Sequence, residues 1–281
     1  MSMTKIPIFT YHSHKVLGNS YETNDHIALH DDLRMIHAEG FLIIPLSWAV
    51  GWYLGRRKEP SPRCVAITFD DGCDLDWIDY EHPQYGPTES FKTILLGFKA
   101  EAGDKQPYIH ASSFVIGSPV ARKFINHEAF QGDDLLNDHW WKDADHSGIF
   151  KIYNHSWDHN HPAVRTVCQK DNIKGSFDNM DTFEECQCEV KQAGEYIGEK
   201  IHPAWPDLFA YPYGSSSTYI RGKYFPQFLD HHRILAAFGA SGGYLTEDSF
   251  RWNLPRFVCS ASPPAGWRTA AELREILYEA E

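Results

Sequence analysis

Short apolar runs rich in β-branched and aromatic residues recur along this chain, each separated from the next by a stretch with helical spacing. The runs fall at residues 6–11, 41–44, 65–69, 109–116, 150–153, 208–211, 234–238 and 254–258. Several are apolar nearly throughout, and a strand that is apolar on both faces has to be covered on both faces. A parallel sheet beneath crossover helices meets that demand. Helical patterns lie between the runs. Residues 31–38 carry Leu33 and Ile36 on one side, with Gly40 just beyond as a stop. Residues 89–102 and the tail 270–280 have the same spacing, and Thr182 with Glu185 forms a capping box that opens a helix towards Tyr196. The alternation predicts an α/β fold. No repeat or linker divides the chain, so one domain over residues 1–281 is expected. Two stretches look inserted, near 73–87 and 121–141. Loops of this length in a compact domain commonly act as lids or binding walls.

Composition narrows the partners. A hydrophobic share of 42% suits a globular core. A formal charge of -12 argues against nucleic acid or an anionic membrane surface, since either would repel an acidic protein. The most apolar stretch, 41–54, is too short to span a bilayer and is broken by Pro45, Ser47 and Gly51, so no transmembrane segment is expected. Residues 1–7 offer Lys5 but no apolar run of signal-peptide length. The six cysteines (Cys64, Cys73, Cys168, Cys186, Cys188, Cys259) contain no CxxC pair and read as reduced thiols. Both features lead to an expectation of cytoplasmic residence.

Three motifs follow directly on strand-like runs. Thr68-Phe69-Asp70-Asp71-Gly72 places two adjacent carboxylates where a loop begins, and burying both requires a cation or a proton. Asn154-His155-Ser156-Trp157-Asp158-His159 places two imidazoles four residues apart, on one face if a helix starts there. With Asp71 they supply two neutral nitrogens and one carboxylate, a set that can hold a divalent ion and leave positions open. Phe209-Ala210-Tyr211-Pro212-Tyr213-Gly214 bends the backbone, so that an amide can point at a developing oxyanion. Trp48, Trp52, Trp77, Trp140, Trp141 and Trp157 are candidate sugar-stacking faces, with packing as the expected fate of most.

In that order, TFDDG, HSxxH and YPYG resemble the motifs of the polysaccharide deacetylases, carbohydrate esterases that share the NodB homology domain. Pro7 to His12 and Gly40-Phe41 look like the lead-in of members that act on poly-N-acetylglucosamine, and Leu254-Pro255-Arg256 is similar to their closing strand. The resemblance implies a distorted (β/α) barrel with about seven parallel strands. It implies Asp71, His155 and His159 as ligands of a divalent metal, with Zn²⁺ expected and Co²⁺, Ni²⁺ or Fe²⁺ as alternatives. It further implies Asp70 as general base, the backbone N–H of Tyr213 as oxyanion donor, and an N-acetylated carbohydrate as substrate. Two departures stand out. Many members carry an arginine where this chain has Ala210, and Arg256 is the candidate replacement. The late Leu-x-His motif that supplies a general acid is not recognisable, which leaves His12 first and His231 or His232 as substitutes, while His161 could approach the metal. A hydrolase of cyclic amides such as allantoin, or a glycan-binding protein without turnover, remain the alternative functions.

Overall fold

The apolar runs pair side by side and in one direction. A computed structural model describes residues 4–130, 133–164 and 174–281. Its strands are β1 (Ile8–Tyr11), β2 (Leu42–Ile43), β3 (Cys64–Phe69), β4 (Tyr80–His82), β5 (Gly86–Thr88), β6 (Ala111–Val115), β7 (Phe150–Asn154), β8 (Leu208–Ala210), β9 (Ala236–Phe238), β10 (Phe257–Cys259) and β11 (Gly266–Trp267). The main sheet has the order β11-β10-β1-β3-β6-β7-β8-β9, with β2 on β3 off that path. All its pairings are parallel, and β1 sits between β10 and β3 with Phe9 opposite both Phe257 and Ile67. Only a bridge from Phe238 to Leu254 leads from β9 back towards β10, so the barrel curls without closing. The architecture is the distorted (β/α) barrel expected, and it is slightly larger than the expected count of about seven strands.

The expected boundaries move where local chemistry outweighs apolar pattern. Residues 254–258 were one run, yet pairing starts at Phe257, because Pro255 has no N–H for a ladder. The first helix, α1 (Asp25–Ala38), begins earlier than its apolar stripe, since Asn24 Oδ1 accepts from the His26 N–H and caps it. The helices α2 (Leu46–Tyr53), α3 (Phe91–Ala102), α4 (Pro119–Ala129) and α5 (Trp141–His146) follow. The capping box at Thr182 and Glu185 is formed and opens α6 (Phe183–Cys186), which passes through a π-helical turn, Gln187–Gln192, into α7 (Ala193–Ile201).

Residues 73–87 form a 3-10 turn, Asp74–Asp76, and the small antiparallel hairpin β4-β5. The stretch 121–141 is largely α4 and the loop after it; Gln131 and Gly132 lie outside the described residues. This loop is tied down by Asp74, whose carboxylate accepts from the Asn137 backbone and side chain at 2.9 Å each and from Trp140 Nε1 at 3.0 Å.

One expectation about the cysteines is overturned. Cys64, Cys73, Cys186 and Cys259 are buried free thiols, but Cys188 is disulfide-bonded. Two residues beyond the buried Cys186, it turns to a partly exposed face, where burial no longer shields the sulfur. Cys168 lies outside the described residues. The inference from six reduced thiols to the cytoplasm therefore loses its premise.

Aromatic rings fill the layer between the sheet and the helices α1 and α3: Phe69 packs 4.4 Å from Phe91, 5.6 Å from Phe150 and 6.4 Å from Tyr11, centroid to centroid. Phe69 is fully buried at the end of β3, and the next residue, Asp70, faces the other side of the sheet, so this layer holds the strand end from which the site departs. Phe69→Ala is expected to cost about 3–5 kcal/mol in denaturant unfolding; a loss under about 1 kcal/mol would mean that the ring does not hold that strand end.

Candidate active site

Each motif residue leaves a strand at its C-terminal end, where βα loops gather side chains from distant parts of a chain. After β3 the backbone turns sharply through Asp71 at φ +75° and Gly72 at φ +70°. A Cβ on Gly72 would sit 2.6 Å from Val115 Cγ1, so only glycine fits against β6. After β7 the expected helix does not form. Ser156, His159 and Asn160 all take positive φ, and the loop is held by side chains. Asn154 Oδ1 accepts from the Ser156 N–H, Ser156 Oγ from the His159 N–H, and Asp158 Oδ1 from the Asn160 N–H. Glu189, fully buried in the π turn, accepts from the backbone N–H groups of Trp157 and Asp158. Local hydrogen bonds of this kind outcompete the helix that spacing alone suggests.

The two imidazoles converge nonetheless. Asp71 Oδ1 lies 3.4 Å from His155 Nε2 and 3.2 Å from His159 Nε2, and the three candidate ligand atoms all fall within 4.8 Å of one another. Bonds of about 2.0–2.1 Å at tetrahedral angles would set ligand atoms about 3.3 Å apart, so the cradle fits a zinc-sized ion. His155 Nδ1 donates to the Ala210 carbonyl at 2.9 Å, which turns its Nε2 towards the cradle. Burial pushes the Asp71 carboxyl up, but hydrogen bonds from His155 and His159 outweigh it and hold it well below the usual carboxylate range. Burial lowers His159, while for His155 the charges of Asp70 and Asp71 overcome burial and raise it.

Asp70 faces a different cation. Arg256 Nη1 and Nη2 donate to its two oxygens at 2.7 and 2.8 Å, and Arg256 Nε donates to the Gly239 carbonyl at 3.0 Å. Arg256 is fully buried, with a further contact from Nη1 to Thr68 Oγ1 at 3.4 Å. Burial raises the Asp70 carboxyl, and the Arg256 charge more than reverses this, leaving it ionised. Its Oδ2 stays 4.0 Å from His155 Nε2, outside the ligand cradle. Arg256 thus supplies the guanidinium beside Asp70.

A cavity of about 620 Å³ opens over these groups. His12, His14, His161 and Tyr213 line its polar side, and Ile116, Ile125, Phe130 and Leu136 its apolar side. Tyr213 takes φ +59° between Pro212 and Gly214, and its half-exposed ring meets His159 edge-on at 4.6 Å. His161 is 6.1 Å from His159, centroid to centroid, and is not among the clustered ligand atoms. His231 and His232 are not brought to the site: His232 is buried against Tyr224, Phe225 and Trp252, and its neighbour packs on Phe183 and Phe228. None of the six tryptophans singled out lines the cavity; Trp140 bonds Asp74, Trp77 packs on Phe150 and Trp157 on Tyr196.

Sequence reasoning passed over His14, whose Nδ1 is 3.5 Å from Asp71 Oδ2. The available signal was its spacing, two residues after His12 at the end of β1. It also passed over Asp76, which accepts from Ser13 Oγ at 2.5 Å and Ser113 Oγ at 2.6 Å beneath the two aspartates.

With this geometry in place, comparison with solved structures is informative. The chain superposes on IcaB from Ammonifex degensii with a TM-score of 0.63 at 16% identity, covering 99% of this chain and 97% of that one. Streptococcus pyogenes deacetylase PplD, in complex with acetate, gives 0.62 at 16% identity over 100% of both chains. BA0330 of Bacillus anthracis gives 0.58 at 14% identity; 91% of this chain is covered, and the chain spans 65% of that protein's length. The fold is a NodB-type (β/α) barrel. The profile of the polysaccharide deacetylases matches residues 57–224, more than half of the chain, and the chain belongs to that family. Among curated proteins none matches it.

Arg256→Leu should cost about 3–5 kcal/mol by stranding the buried Asp70 charge, and adding Asp70→Asn should recover part of that loss. Equal losses in the single and double variants would show that the pair is not coupled. Asp76 generates a pH prediction. Burial raises its carboxyl to about 8, above the ordinary value of 3.8, so the folded state holds a proton that the unfolded state releases. Its contribution is full below the ordinary value and is lost as pH rises through about 8, with a slope of up to about 1.4 kcal/mol per pH unit. Asp76→Asn should flatten that decline in unfolding measured from pH 4 to 8; an unchanged slope would contradict the assignment.

Proposed function

We propose that this chain is a metal-dependent hydrolase that removes N-acetyl groups from an amino-sugar oligosaccharide, polysaccharide or glycan precursor. The observation that carries this reading is the meeting of Asp71, His155 and His159 beside a second carboxylate, Asp70, that Arg256 keeps charged and out of the cradle. Family membership supports the deacetylase chemistry. The reading takes residues 1–281 as one catalytic unit, because His12, from near one end of the chain, lines the cavity, and Arg256, from near the other, holds Asp70, which lines it too.

Asp71, His155 and His159 would hold the ion, with Zn²⁺ favoured by the two-nitrogen, one-oxygen donor set and Co²⁺, Ni²⁺ or Fe²⁺ also compatible. When bound, the ion polarises the acetamide carbonyl and lowers the pKa of a water. Asp70 accepts the proton of the attacking water at Oδ2, the oxygen nearer to His155. Holding the carboxylate by both oxygens costs it freedom and gains aim, since Arg256 is itself immobilised by Gly239. The backbone N–H of Tyr213, presented by its left-handed turn, donates to the oxyanion. His12, at the cavity edge, delivers a proton to the departing amine as the carbon–nitrogen bond breaks, giving acetate and a free amino sugar.

The test is acetate release from chitooligosaccharides, N-acetylated polymers and lipid-linked precursors, with and without chelator. Release should be chelator-sensitive. Asp70→Asn should lower kcat by about 10²–10⁴-fold with metal content intact, whereas His155→Ala and Asp71→Asn should lose the metal. Absence of chelator-sensitive release from every substrate would sink the proposal.

A further inference from the structure

The loop after β1 carries two consecutive residues, His12 and Ser13, that other elements hold by three hydrogen bonds. The His12 N–H donates to Asp25 Oδ2 at 2.9 Å, Ser13 Oγ donates to Asp76 Oδ1 at 2.5 Å, and the Ser13 carbonyl pairs with His26 Nε2 at 2.7 Å. Asp25, His26 and Asp76 are all buried, so the loop is fixed by groups drawn from α1 and from the turn after β3. Rigid support of this kind sets where the side chain of His14 points.

His14 points at Asp71. The two oxygens of that carboxylate divide their surroundings: Oδ1 faces His155 and His159, and Oδ2 faces His14 Nδ1 at 3.5 Å. The ring of His14 is wedged between His12, at 5.6 Å between centroids, and Phe130, at 5.5 Å. Its Nδ1 is buried and makes no hydrogen bond within normal reach. It is also excluded from the group of ligand atoms that lie within 4.8 Å of one another, so it stands behind the cradle. Asp71 Oδ2 is the acceptor in front of Nδ1, and an imidazole nitrogen that carries its proton can donate to it.

We infer that His14 is a positioning residue for the metal centre: by presenting Nδ1 to Asp71 Oδ2, close enough for a small shift to complete the hydrogen bond, it keeps Oδ1 turned towards His155 and His159, and thereby sets how tightly those three residues would retain an ion. The inference rests on the metal-site reading of Asp71, His155 and His159. A metal-bound carboxylate that is free to rotate alternates between one-oxygen and two-oxygen contacts, and fixing its second oxygen removes that freedom. His12 and His14 then divide one loop between two tasks, one beside the leaving group and the other behind the ligand.

Metal affinity decides the matter. Chelator competition with Zn²⁺ on the full chain should give His14→Leu a Kd raised by about 10–100-fold, with His14→Gln, which keeps a donor, recovering part of the loss. The thermal midpoints of the metal-free proteins should match the wild type, and turnover of His14→Leu should recover at saturating Zn²⁺. An affinity for His14→Leu within twofold of a metal-binding wild type would overturn the inference while leaving the metal site standing. A wild type that binds no metal would overturn both. Lost turnover that saturating Zn²⁺ does not restore, with affinity unchanged, would place His14 on the substrate and refute the positioning role.

Discussion

Two carboxylates that follow one another at a strand end cannot both be buried as anions unless each has polar partners of its own. That constraint organises this structure. Asp70 is answered by Arg256, whose guanidinium donates to both of its oxygens from the position just before β10, and Asp71 is answered by two imidazoles from the loop after β7. An ion pair this deep is no guarantee of stability, since desolvating both groups offsets much of the attraction. Its consequence is a difference in role: one carboxylate is locked away from the cradle and the other is left facing it. The order of strands in the sheet follows the same need, because β1 lies between β10 and β3 and brings the His12 loop to the junction of the two sites.

Around that junction the loops are held by buried polar groups more than by regular structure. Glu189 reaches from the π turn to two backbone N–H groups of the histidine loop, and Asp74 ties down the segment after α4 that lines the apolar wall. Such anchors account for three left-handed residues in the span from Ser156 to Asn160, because backbone strain persists only where the surroundings over-determine it. The functional side chains are therefore placed by a second layer of carboxylates, Asp25, Asp76 and Glu189, that carry no chemistry of their own. A site built in this way is preorganised before anything enters the cavity.

Much of this was legible beforehand, for identifiable reasons. Strand runs were recognised because a doubly covered strand leaves little room for polar residues, and the three motifs because adjacent acids or paired imidazoles at a strand end are rare without a purpose. Arg256 stands out as a candidate partner of Asp70 because Ala210 carries no charge, although it lies beyond the span that the family profile matches. The helix expected at His155 was not there, since spacing of four residues is satisfied equally by a loop cross-linked through Asn154, Ser156 and Asp158. His231 and His232 were indistinguishable from His12 as proton donors while only residue type was known. Cys188 was read with the others because composition does not reveal which thiol faces outward.

Along the chain alone, the alternation of apolar runs and helical patterns determined an α/β barrel, and the motif residues determined which side chains carry charge and lone pairs at strand ends. Those are properties of residue type and spacing, which local chemistry settles. Only the tertiary structure decided which oxygen of Asp71 faces the histidines and which faces His14, and which histidine reaches the cavity. Direction and distance between residues far apart in sequence depend on sheet order and on buried anchors, and neither is a property of any single segment.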